Sequence, residues 1–144
     1  MLSTDFVERS GMKVRVLAGA PTLLELGILG FALGSHTTLA TFELFEPDGT
    51  LSRSYENEPT VLALVDLMHE KFAVAALVRS ASNTKAAFFD HSNRYFLLLA
   101  NSLVLDDVFK LDRDQMADYF EDTIESSSDK DYLRLVWATY ERYM

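Results

Sequence analysis

Few residues in this chain have the type and spacing to do chemistry. Cysteine is absent, which removes thiolate nucleophiles, disulfides and Cys-based metal sites. The histidines are His36, His69 and His91. A helix that grips zinc through two histidines needs them four positions apart, and the residue four after His69 is Ala73. Asp90, His91 and Ser92 have the residue types of a nucleophilic relay. Such a relay places the imidazole between the other two groups in space, which consecutive residues do not achieve. As Asp-His-Ser-Asn the segment reads instead as a turn, its short polar side chains satisfying the backbone. If the chain is an enzyme, His91 with Asp90 and His69 with Glu70 are its acid–base candidates. Gly27, Gly30 and Gly34 lack the spacing and the lysine of a phosphate loop, and Asp112-Arg113-Asp114 lacks the later Gly and Glu of a calcium loop. No motif calls for a cofactor or a metal.

The most informative constellation is a run of acid. Between Asp106 and Asp131 ten carboxylates stand against Lys110, Arg113 and Lys130, which places a net −7 of the chain's −9 in this segment. On a helix, Asp118, Glu121, Asp122 and Glu125 fall at i, i+3, i+4 and i+7 and share one face, with Asp114 a turn earlier. Like charges so placed cost a few tenths of a kcal/mol per pair. One reading is a plain solvated face. The other is a docking surface for a basic protein, on which Asp114, Asp118, Glu121, Asp122 and Glu125 are the contact residues and Tyr132 a candidate for the rim. Core or edge packing competes for Tyr132, as it does for Tyr143.

The charge excludes more than it selects. A surface at −9 repels nucleic acid and anionic membrane, and its natural partner is cationic. Absence of cysteine suits a reducing cytoplasm. The nineteen residues from Val16 to Gly34 are apolar enough to consider as a membrane span or leader. They carry Glu25, which costs roughly 2.5–3.5 kcal/mol at mid-bilayer, together with Pro21 and four glycines. Asp5 and Glu8 spoil the basic region of a signal peptide.

The elements that must carry these residues read as follows. Residues 1–10 are a short helix or an arm, and Met12–Leu17 alternates like a strand. Val16–Gly34 is ambiguous between helix and strand, since its glycines weaken a helix by about 1 kcal/mol each. His36–Glu46, β-rich at Leu39, Thr41, Phe42, Leu44 and Phe45, and Leu51–Tyr55 flank Pro47-Asp48-Gly49 as a hairpin. Val61, Leu64, Val65, Met68 and Phe72 form the stripe of a helix over 60–72. Val74–Val78 continues that helix or begins a strand. Ala86–Phe89 and Tyr95–Leu99 form a second hairpin, its later strand apolar on both faces. Asp112 with Gln115 predicts a capped helix over 113–126, and Ser128 is expected to cap another over 129–143.

The expected fold is one α+β domain over 1–144: an antiparallel or mixed sheet of four to six strands packed by about three helices, two of them C-terminal. No family motif is present. The profile (small, acidic, free of cysteine, catalytically bare) resembles that of bacterial immunity proteins and antitoxins. That resemblance implies inhibition of a basic toxin, such as a nuclease, whose cleft would accept carboxylates in place of phosphates. A small acidic secretion chaperone or adaptor, and an enzyme without a visible motif, are the alternatives.

Overall fold

The computed structural model describes residues 1–34, 38–71, 74–110 and 112–144. The apolar run Tyr95–Ala100 is β6, buried along its whole length. Its neighbours are β1 (Lys13–Ala18) and β5 (Ala86–Phe89), both antiparallel to it. Beyond β5 lie β4 (Ala75–Arg79), β2 (Ala40–Phe45) and the edge strand β3 (Leu51–Asn57), in the order β1-β6-β5-β4-β2-β3. Every pairing is antiparallel, so of the two sheet types expected the antiparallel one is found. The predicted turns close both hairpins, with Gly49 at φ 88° and Asn93 at φ 55° taking the left-handed positions.

Strand alternation sends two sets of side chains to two faces. Phe96, Leu98 and Ala100 join Phe42, Val78 and Phe89 on one face, under α2 (Leu23–Ala32), α3 (Val61–Glu70) and α4 (Ser102–Val108). Tyr95, Leu97 and Leu99 join Val14, Val16 and Phe88 on the other, under α1 (Thr4–Ser10), α5 (Arg113–Ser126) and α6 (Lys130–Tyr140). The result is a sheet sandwiched between two helical layers.

Three helices exceed the expected number. The seven residues of α1 are too few to show a period, and it is fixed by Ser3 at its start and by Gly11 at φ 67° at its end. Asn101, which reads as an interruption of a strand, is the N-cap of α4 and accepts from the Val104 amide at 3.0 Å. Of the ambiguous segment, the first three residues complete β1 and Leu23–Ala32 is helical as α2, held by a capping box in which Thr22 and Glu25 exchange hydrogen bonds. Gly30 lets it approach the next segment, since a Cβ there would lie 2.5 Å from the Pro59 carbonyl oxygen. The stretch after α3 is strand, not continued helix, in β4. The predicted end of the α3 stripe at Phe72, like His36, lies outside the described residues. The Asp112–Gln115 capping box is present, whereas the N-cap position of α6 is Asp129, not Ser128, with the Ser127 hydroxyl accepting from the Asp129 amide at 3.0 Å. Among the described residues no helix is long and apolar enough to cross a membrane.

Candidate functional site

Helix α5 is oriented by Met116, Phe120 and Ile124, which it buries, with Phe120 tilted against Trp137 of α6 at 5.3 Å between ring centroids. That orientation turns Asp114, Asp118, Glu121, Asp122 and Glu125 to solvent, and all five are exposed. Arg134 of α6 reaches Glu121 at 3.9 Å and Glu125 at 4.0 Å, both at the limit of ion pairing. Among the described residues, Asp114, Asp118 and Asp122 have no ion-pair partner. The remainder of the acidic run divides between the two layers. Asp106 and Asp107 sit on α4 across the sheet, where Asp106 pairs with the buried Arg15 at 2.7 Å.

Tyr132 is not at an exposed rim. It is half-buried, its ring under the Arg94 guanidinium at 3.7 Å and its hydroxyl donating to Asp90 Oδ1 at 3.4 Å. Asp90 is the centre of this cluster and is 1% exposed. Its carboxylate accepts from the Arg94 side chain at 3.0 Å and from the amides of Ser92 and Arg94 at 3.2 Å. Burial works to raise its pKa. The hydrogen bonds from the Arg94 side chain and backbone, with the charges of Arg94 and His91, outweigh burial and hold it below the usual carboxylate range. Lys71, also 1% exposed, donates from Nζ to the Asp90 carbonyl oxygen at 2.6 Å, and burial pushes its pKa down to about 8. The cluster therefore ties the end of α3, the β5–β6 turn and the first turn of α6 together.

His91 lies beside Asp90, with Nδ1 3.2 Å from Oδ1, but its Nε2 faces the Arg94 guanidinium at 3.5 Å. A nitrogen facing a fixed cation is poorly placed to accept a proton from substrate. Among the described residues, five clefts are formed without a contribution from His69, His91 or Lys71. Glu70, the partner proposed for His69, is paired with Arg53 at 3.2 Å. Among the described residues no cluster of His, Cys, Asp or Glu could hold a metal ion.

A third surface escaped the sequence reading. Leu23, Leu24, Gly27, Ile28 and Phe31 of α2 face Val61 of α3 and Asp107 and Val108 of α4 across a groove of ≈ 680 Å³. Leu24 is 75% and Phe31 80% exposed. Next to it, Ile28 and Glu25 also line a cleft of ≈ 410 Å³ that reaches Tyr119 and Thr123 on the flank of α5. The signal was present: apart from Glu25, α2 is apolar on every side, yet it buries only Leu26, Leu29, Gly30 and Ala32. No family model, curated protein or solved structure matches the chain significantly.

Proposed function

We propose that this protein is a binding inhibitor of the bacterial immunity or antitoxin type, acting in a reducing cytoplasm on a basic toxin of the nuclease class. The observation that carries the reading is the outer face of α5. Asp114, Asp118, Glu121, Asp122 and Glu125 are all exposed there, and Arg134 alone among the described residues opposes them. Such a strip steers a cationic partner during diffusion and can meet the groups that otherwise hold phosphates. Catalysis by the inhibitor itself is not part of the proposal, since the best histidine has both ring nitrogens occupied.

The test uses the product of the adjacent open reading frame as partner, with nuclease activity and association rate as readouts. Wild type should inhibit the nuclease and associate faster as salt is lowered. The variant Asp118→Lys, Asp122→Lys, Glu125→Lys should associate at least roughly tenfold more slowly at low salt. Unchanged rate and salt dependence in this variant contradict the reading.

The alternative of a secretion chaperone or adaptor draws on a separate observation, the apolar side chains exposed on α2 and α3. Such a protein is usually dimeric through a self-complementary face. A dimer in light scattering favours it, and a strict monomer at high concentration counts against it.

A further inference from the structure

We infer that the α2–α3–α4 groove is a second contact site, and that it takes an amphipathic helix of the partner, apolar on one side and lined with Lys or Arg on the other. The inference shares with the proposed function the premise of a cationic partner, but it rests on different residues. Exposed apolar side chains scattered singly need no explanation, whereas these are gathered in one place. Leu23, Leu24, Phe31 and Val61 line one groove, and α3 and α4, which also border it, expose Leu62 and Leu103. Helices bound it on both sides, the geometry that accepts another helix by its apolar stripe.

Charge selects the occupant. Among the described residues the sole charged side chain lining the groove is Asp107, and the adjoining cleft adds Glu25. Asp66 stands exposed one turn beyond Leu62 on α3. Among the described residues no Lys or Arg lines either opening. A second copy of this chain would bring the same acidic margin against its own, at a net charge of −9 each. An anionic lipid surface meets the same repulsion. A helix with flanking lysines or arginines answers both the apolar floor and the acidic margin. The adjoining cleft runs from Glu25 and Ile28 to Tyr119 and Thr123 on the flank of α5.

The experiment measures fluorescence anisotropy of two labelled synthetic helices on the full chain. One has leucines on one side and lysines on the other, and the second has glutamates in place of the lysines. The lysine helix should bind and the glutamate helix should not. Leu24→Ser with Phe31→Ser should weaken the lysine helix by roughly tenfold or more. Both positions are exposed, so thermal stability should hold. Asp107→Lys keeps the apolar floor and should also weaken the lysine helix while improving the glutamate helix. Equal binding of the two helices, or unchanged affinity in these variants, overturns the inference. So does a wild-type dimer that the Leu24/Phe31 variant dissociates, since a second copy would then be the occupant. Charge reversal on α5 should leave groove binding of the lysine helix within roughly threefold of wild type. A partner that ignores that reversal therefore removes the proposed function alone, and loss at the groove alone removes this inference.

Discussion

Burial of Lys71 and the hydrogen bonds to Asp90 both lower a pKa on folding, so both groups make stability rise with pH, in different pH ranges. Lys71 titrates near 10.5 when unfolded and near 8 in the fold, so between these values the unfolded chain binds more protons. Stability attributable to Lys71 therefore rises from about pH 8 to about pH 10.5 and is flat below. Wild type compared with Lys71→Met in thermal melts should gain relative stability across that interval. The comparison also cancels Tyr95, Tyr132 and Tyr140, whose ionisation burial opposes and which weaken the fold at high pH. Asp90 has a native pKa held below 3.8, so its contribution is complete above that value and is lost as pH falls through the native one. Asp90→Asn should cost roughly 3 kcal/mol near neutrality, read from the urea midpoint, with the deficit closing in acid. Such a cluster was legible only in part. The turn chemistry of Asp90 is local and was readable. Lys71 and Tyr132 reach it from sequence separations that no local pattern reports.

Helices α2 and α5 show what patterning conveys and what it conceals. In α5 the cap and the acidic face were readable, because each depends on spacing within one helix. Of the expected inner stripe Met116, Tyr119, Phe120 and Ile124, only Tyr119 departs, its ring lying exposed at the margin of the stripe. In α2 the same reasoning failed. Its outer side is as apolar as its inner side, which erases the period, and its glycines count against a helix until their neighbours are known. Gly30 faces the Pro59 backbone, while a Cβ at Gly27 would meet nothing nearer than a Val61 methyl at 3.6 Å. Gly30→Ala should therefore destabilise by about 1–3 kcal/mol, as overpacking does. Gly27→Ala should be neutral or stabilise by up to about 1 kcal/mol. Chemical denaturation of the pair checks both, and equal effects would remove the close-packing role given to Gly30. On α5, Asp122→Lys relieves like-charge neighbours at Asp118 and Glu125 and should raise stability by a few tenths of a kcal/mol.

At the scale of the molecule, strand alternation and the two hairpins were enough to anticipate an α+β fold with a sheet buried on both faces of β6. The layer to which each helix goes was not readable. Chain order places α4 beside α5, but the sheet separates them, so the acidic run that looks continuous in sequence is divided in space. Asp106 and Asp107 fall beside the apolar groove, and the five carboxylates from Asp114 to Glu125 form the strip on the opposite layer. Removing the α5 charges should therefore cost association without costing the fold. The most direct measurement is the association rate with the proposed basic partner as a function of ionic strength, for wild type and for the Asp118→Lys, Asp122→Lys, Glu125→Lys variant. The account predicts a steep fall with salt for wild type and a slow, nearly flat dependence for the variant at unchanged thermal stability. Superimposable salt dependences for the two proteins would contradict it.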